Sequence, residues 1–141
     1  YIAENPSQMM LFQDMSYLRN LTFCLPRQID SWFRRRSIYR SLRRELTPEL
    51  GAVFDKDIRD LNTQEKYALI FRRVLLQQPR VVFFEQPFWG NDVLLQQHIE
   101  RQVQLLLAKK IAVVVLIVGI YDAFPLAERT LIYKNGHLLT Q

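Results

Sequence analysis

Glu85 and Gln86 sit where chemistry would be expected. They lie within VVFFEQPFWGND, residues 81–92, where four apolar residues run into a carboxylate, an amide and a proline and the stretch ends on Asp92. A buried strand that ends on an acid can deliver charge to a phosphate and its metal. Glu85 keeps a carboxylate for that purpose, one methylene longer than aspartate. Gln86 cannot act as a second acid would: an amide lacks the basicity to take a proton from an attacking water.

The elements that must position this pair follow from periodicity and punctuation. YIAENPSQMMLFQDM reads as a short strand and a loop, with Asn5-Pro6-Ser7 as a turn signal. SYLRNLTF has helical spacing and ends at Pro26. SWFRRRSIYRSLRREL predicts a basic amphipathic helix with Trp32, Tyr39, Leu42 and Leu46 on one side. Thr47-Pro48 predicts a boundary, and PELGAVF a further short helix with Pro48 at its first turn and Glu49 favoured by the dipole there; Gly51 weakens it. LNTQEKYALIFRRVLLQQP predicts a helix capped by Asn62 or Thr63, with Glu65 in its first turn, stopped by Pro79.

RVVFFEQ then reads as a strand apolar on both faces, as in a parallel sheet covered by helices. DVLLQQHIERQVQLLLAKK predicts a helix with apolar positions 94, 95, 99, 103, 106 and 107, and IAVVVLIVG a second buried strand. PLAERT reads as a short helix and TLIYKNGHLL as a hairpin turning at Asn135-Gly136. Strand, helix and strand in succession make a β-α-β unit with a right-handed crossover. The fold class is therefore α/β with a helical part in front.

These segments, in this order, resemble the ATP-binding cassette ATPases. LNTQE occupies the place of the family's L-S-G-G-Q signature loop, KYALIFRRVLLQQP its helix, and RVVFFEQP the strand that ends D-E-P in the family. FWGND matches a D-loop ending in aspartate at Asp92. PLAERTLIYKNGHL resembles the closing helix and hairpin, and YIAEN followed by MLFQDMSYLRNLTF resembles the Q-loop and the start of the helical subdomain. The resemblance implies a partial P-loop NTPase-like (RecA-like) parallel sheet with a helical subdomain: one partial nucleotide-binding domain over 1–141, with about 15–78 helical and 79–141 the rear of the α/β core. It also implies ATP and Mg²⁺ as cofactors, held weakly or not at all by this chain alone. The implied partners are a membrane-spanning transporter subunit and a second nucleotide-binding domain, in a homo- or heterodimer. The implied location is cytoplasmic, peripheral at the membrane.

The resemblance also marks where the motifs have changed. Gln86 stands at the general-base position, and losing such a base removes on the order of 10²–10⁴ in rate. Glu85 stands at the magnesium position, with a solvated or arginine-paired strand-end acid as the plain alternative. Asn62, Thr63 and Gln64 replace the signature serine and two glycines, whose lack of side chain permits close approach to a γ-phosphate. Glu65 replaces glutamine and adds negative charge; a simple capped helix start explains the same four residues. Gly119 and Ile120 stand where a switch histidine is expected, and Glu4, or Gln8 in another register, matches the Q-loop glutamine. The four glycines (Gly51, Gly90, Gly119, Gly136) cannot form a G-x-x-x-x-G-K-[ST] phosphate loop. The resemblance places that loop upstream. The resulting expectation is a degenerate ATPase subunit. The alternatives are a regulatory or scaffold module, and a conventional transporter ATPase whose phosphate loop lies in a missing front half.

Bulk properties set broad limits. The chain has 141 residues, room for one domain with a core, and a formal net charge of +5. One cysteine, Cys24, excludes an internal disulfide. The longest apolar run, IAVVVLIVGI, is too short to cross a bilayer as a helix. The first residue is Tyr1 rather than methionine, as in a fragment or a processed product. RRRSIYRSLRR has three readings: a solvated helix face, a dock for a membrane subunit or anionic lipid, and sequence-blind nucleic-acid affinity. No specific nucleic acid is expected. His98 and His137 read as surface residues without metal spacing.

Overall fold

A computed structural model describes residues 1–23, 32–88, 93–118 and 126–140, without the side chains of residues 32–35, 49, 52 and 140. The expectations for Cys24, Trp32, Glu49, Asp92, Gly119 and Ile120 fall, in whole or in side chain, outside that description.

The order is α1 (Pro6–Met9), α2 (Tyr17–Thr22), α3 (Trp32–Leu50), α4 (Thr63–Leu76), β1 (Val81–Glu85), α5 (Val93–Ala108), β2 (Ala112–Leu116), β3 (Leu131–Lys134) and β4 (His137–Thr140). Two 3₁₀ segments, Gly51–Asp55 and Ile58–Asp60, join α3 to α4. The strands β1 and β2 are parallel, Val81 against Ala112 through Glu85 against Leu116, with α5 as their crossover. Ile2 adds a parallel bridge to Phe84 on the other side of β1. Its N–H donates to the Phe83 carbonyl at 2.7 Å, and its carbonyl accepts from Glu85 N–H at 2.9 Å. The β3–β4 hairpin turns at Asn135 (φ 50°) and Gly136 (φ 83°), the two positive angles a two-residue type I′ turn requires.

One apolar core runs through the chain. It includes Ile2, Tyr17 and Leu21, then Phe54, Ile58 and Leu61, then Tyr67, Leu69, Ile70 and Phe71 of α4, and finally Val82, Phe84, Ile99, Val103 and Leu106. The helix α4 is central. Phe71 meets Phe84 edge-on at 5.6 Å between ring centroids, and Tyr17 meets Phe54 edge-on at 5.9 Å.

Four expectations are corrected. The break at Thr47-Pro48 does not occur: α3 runs to Leu50 with Pro48 inside it. Proline deprives a carbonyl one turn back of its donor. Here the deprived carbonyl is that of Arg44, a single lost bond close to the carboxyl end of the helix, and beside it Thr47 Oγ1 donates to the Arg43 carbonyl. The helix ends instead at Gly51, whose φ of 43° suits glycine. At the front, Pro6 opens a helical turn rather than a plain loop, as a proline at the first helical position permits. Leu126–Thr130 is turn and bend, not helix; a run that short has too few internal hydrogen bonds to hold a helix by itself. Finally, the two strands are not buried on both faces. Val82 and Phe84 are buried, whereas Val81, Phe83, Val114 and Leu116 are exposed, because among the described residues the helices cover one face only.

The descent from α5 into β2 is a Schellman turn without glycine. Lys110 N–H donates to the Leu107 carbonyl at 2.8 Å and Ile111 N–H to the Leu106 carbonyl at 3.1 Å. Lys110 takes φ 59°, a conformation that costs an L residue with a side chain about 1–2 kcal/mol. Lys110→Gly is expected to raise the unfolding free energy by up to about 1 kcal/mol, read by urea denaturation; no gain would mean that the lysine side chain makes up the difference.

Candidate functional site at the strand ends

The carboxyl end of β1 gathers four of the chain's polar side chains. Because Ile2 lies beside Phe84, the residues flanking Ile2 reach the end of the strand. The Tyr1 hydroxyl donates to Glu85 Oε2. That bond first, then desolvation and the nearby charges of Glu85 and Glu4, raise the exposed Tyr1 phenol above its ordinary 10.0. Gln86 Nε2 donates to Glu4 Oε2 over a long 3.5 Å. Gln86 N–H donates to the Leu116 carbonyl at 2.7 Å, extending the ladder past the last strand residue. Gln86 itself has φ 41°, a left-handed conformation costing of order 1–3 kcal/mol that persists where surroundings enforce it, often at functional sites.

The expected partners Glu85, Gln86 and Glu4 are therefore brought together; Tyr1 is the member that the motif reading missed. Its signal was the alternation of YIAE beside an apolar strand, which places Tyr1 and Ile2 on opposite faces.

Asn62, Thr63, Gln64 and Glu65 form the amino end of α4. Asn62 Oδ1 accepts from Glu65 N–H and Glu65 Oε2 from Asn62 N–H, both at 2.8 Å, a complete capping box. Lys56 Nζ lies 3.3 Å from Glu65 Oε1. The Glu65 carboxylate is thus already engaged on both oxygens. No hydrogen bond or ion pair joins this group to the one at the end of β1 among the described residues. Asn62→Ala is expected to cost about 1 kcal/mol and to lower the melting temperature by a few degrees; a shift within error would show the box to be redundant.

His98 does not behave as a surface residue. It is half-buried on α5, and its shielded Nε2 has no hydrogen-bond partner among the described residues. Burial first, then Arg101, lowers its pKa below the ordinary 6.5. The neutral ring is favoured in the fold. Above about pH 6.5 both states are neutral there; as pH falls through that value toward the folded pKa, the unfolded chain gains the proton first and stability is lost. His98→Gln is expected to flatten that part of the stability–pH curve, measured by urea denaturation between pH 7.5 and 5.

The donor set defines what the strand ends can hold. Two carboxylates and an amide oxygen suit a hard divalent cation that keeps water and takes its other ligands from phosphate. They do not suit a bare polyphosphate, since no cationic side chain or amide cradle faces them among the described residues. No group of three or more His, Cys, Asp or Glu side chains there could hold a metal ion unaided.

The architecture has known counterparts. Over 140 residues the chain is 27% identical to the lipopolysaccharide export system ATP-binding protein LptB of Acidithiobacillus ferridurans, covering 99% of this chain and 56% of that protein. The ATP-binding cassette MJ0796, solved as a dimer in a post-hydrolysis state bound to ADP and Pi, superposes with a TM-score of 0.58 at 19% identity, over 92% of this chain and 58% of that one. The chain has the fold of an ATP-binding cassette domain. It spans a little over half the length of the relatives it matches. No family model matches it. Within the cassette fold, Glu85 and Gln86 fall at the end of the core parallel strand, at the carboxyl edge where open α/β sheets bind ligands. No helix among the described residues is long and apolar enough to cross a membrane.

Proposed function

We propose that this chain is the rear part of a transporter's ATP-binding cassette domain that hydrolyses ATP slowly or not at all by itself. Its task is to present surfaces to a second, competent nucleotide-binding domain and to a membrane-spanning subunit at the cytoplasmic face. The observation that carries the reading is Gln86. It sits immediately after the core strand, held by backbone at Leu116 and reaching Glu4 with its amide. An amide so placed can orient a water through a hydrogen bond but cannot accept its proton. Glu85 can contact a magnesium ion through water, the ion supplying charge neutralisation for the phosphates. The Tyr1 hydroxyl on one oxygen competes for that role. Asp92, with Gly119 and Ile120, is proposed to face the nucleotide and the partner domain by the same correspondence, with Asn62, Thr63, Gln64 and Glu65 at the signature position.

The reading as a regulatory or scaffold module without nucleotide draws support from one feature. Both acids at motif positions are already occupied within the fold, Glu85 by Tyr1 and Glu65 by its capping box and Lys56.

The test is calorimetric binding of Mg·ATP together with phosphate release by the full polypeptide. Binding with little or no turnover is expected. No binding would favour the scaffold, and brisk turnover by the isolated protein would overturn the impaired-site account. Gln86→Glu is expected to leave phosphate release unchanged within about twofold, because the signature and switch positions are altered too. A rise toward the factor of about 10² that a restored base can give would assign the defect to Gln86 alone.

A further inference from the structure

Helix α3 concentrates the charge of the chain. From Trp32 to Leu50 it carries six arginines against Glu45 and Glu49, a net +4 out of the +5 of the whole sequence. Its half-buried side is Ile38, Tyr39, Leu42, Leu46 and Leu50, and Leu46 and Leu50 pack against the core. Its exposed side carries Arg36, Arg40, Arg43 and Arg44. At about 100° per residue these four fall within an arc of about 100°, and the stripe from 36 to 44 is about 12 Å long. Both acids of the helix lie about 100° or more round the axis from each of the four. Two features set this stripe apart from an ordinary solvated face. A solvated face gains from acids and bases at i and i+4, whereas Arg36, Arg40 and Arg44 repeat one sign at that spacing, which destabilises a helix. The stripe is also barely neutralised from outside. Arg40 and Arg44 have no acidic partner among the described residues, and Arg43 meets Asp55 at 2.6 Å in a pair whose side chains are 53 and 68% exposed. An exposed pair of that kind contributes little.

We propose that this arginine stripe docks on a membrane surface that carries anionic phospholipid. A guanidinium fork meets two phosphate oxygens at once. A row of such forks along one side of a helix meets a plane of headgroups. The helix itself stays out of the bilayer, because its apolar side is committed to the core, unlike that of a helix that sinks its apolar face into lipid. The attraction is therefore electrostatic, and each basic residue near an anionic surface contributes about fivefold in partition. A nucleic acid also offers phosphates, but it fits less well. Strand binding adds aromatic side chains on which bases stack, and no described aromatic side chain of α3 is exposed: Tyr39 is half-buried. The choice of a membrane among anionic partners rests on the reading under Proposed function that sets the chain at the cytoplasmic face, where leaflet lipids are anionic.

The experiment sediments the full polypeptide with protein-free vesicles, of phosphatidylcholine alone and of phosphatidylcholine mixed with phosphatidylserine. The expected result is binding to the mixed vesicles only, weakening as salt is raised. Arg40→Gln with Arg44→Gln is expected to lower the partition coefficient about 20-fold, and Arg40→Lys with Arg44→Lys, which keeps the charge, to hold it within about threefold. Lys109→Gln with Lys110→Gln removes the same charge beyond the end of α5 and is expected to change it less than about twofold. Both arginines are exposed and neither has an acidic partner to lose, so the circular dichroism and melting temperature of the glutamine variant are expected to match wild type. Equal binding to neutral vesicles, equal loss from the arginine and lysine substitutions, or no binding at all would overturn the proposal. A duplex DNA oligonucleotide that strips the protein from the mixed vesicles at equal phosphate concentration would give the stripe to nucleic acid and overturn it too. Mg·ATP binding is read separately. Vesicle binding by a polypeptide that binds no nucleotide leaves this inference standing and removes the nucleotide reading; nucleotide binding without vesicle binding does the reverse.

Discussion

Replacing Phe84 with alanine is expected to lower the unfolding free energy by about 3–5 kcal/mol, the range for a fully buried phenylalanine. Phe84 is 0% exposed. Its ring meets Phe71 of α4, and its backbone lies between Ile2 and Val115. Truncation therefore removes apolar burial, an aromatic edge contact and the filler between helix and sheet. Urea denaturation of wild type and variant, fitted with a common slope, gives the difference. A loss below about 1.5 kcal/mol would mean that α4 closes onto the strand and the cavity collapses. Phe83→Ala is the internal control. One residue away and half exposed, it should cost far less, because its side chain stands on the opposite, uncovered face.

The second large effect is expected at Asn20. Its side chain is fully buried and ties the loop after α1 to α2. Oδ1 accepts from Phe12 N–H at 2.8 Å, and Nδ2 donates to the carbonyls of Phe12, Met15 and Ser16 at 2.9, 3.2 and 3.3 Å. Leucine has a similar volume and none of these groups. Asn20→Leu leaves one N–H and two or more carbonyls without their partner, each costing about 1–3 kcal/mol where water cannot replace it. The loop is partly open to solvent, so the expected net loss is about 2–4 kcal/mol. Hydrogen exchange should locate it, with residues 12–16 losing protection before α4 does. A near-neutral result would show that water already serves this loop.

Legibility in the sequence tracked how local the cause was. The cap of α4 was readable because Asn62 and Glu65 are three residues apart and satisfy each other. The Asn135-Gly136 hairpin was readable because only its own two angles matter. The β-α-β unit followed from apolar runs and breaks. What failed depended on distant neighbours. VVFFE and AVVVL look alike on both faces in sequence, and nothing local says that only one face would be covered. Thr47-Pro48 reads as a boundary by rule, yet the helix absorbs the loss of one bond, to the Arg44 carbonyl, and runs two residues past the proline to Leu50. Asn20 could have been suspected from YLRNLTF, where it shares the buried side with Tyr17 and Leu21, but its four partners belong to a loop of irregular geometry. At the strand ends, the identities of Glu85, Gln86 and Glu4 were legible by motif order. The Tyr1–Glu85 pairing, spanning 84 residues of sequence, was not, since it exists only once Ile2 has joined the sheet.

Helix α4 has two customers. Its Phe71 bears on the strand that ends in Glu85 and Gln86, and its neighbours Tyr67 and Ile70 share the core with Tyr17, Phe54 and Ile58 of the helical region. With 14 residues at about 1.5 Å each, it is a stiff rod of roughly 21 Å. Any push on the helical region that tilts this rod must also press on the strand behind Glu85. The helical region and the strand end therefore share one rigid element.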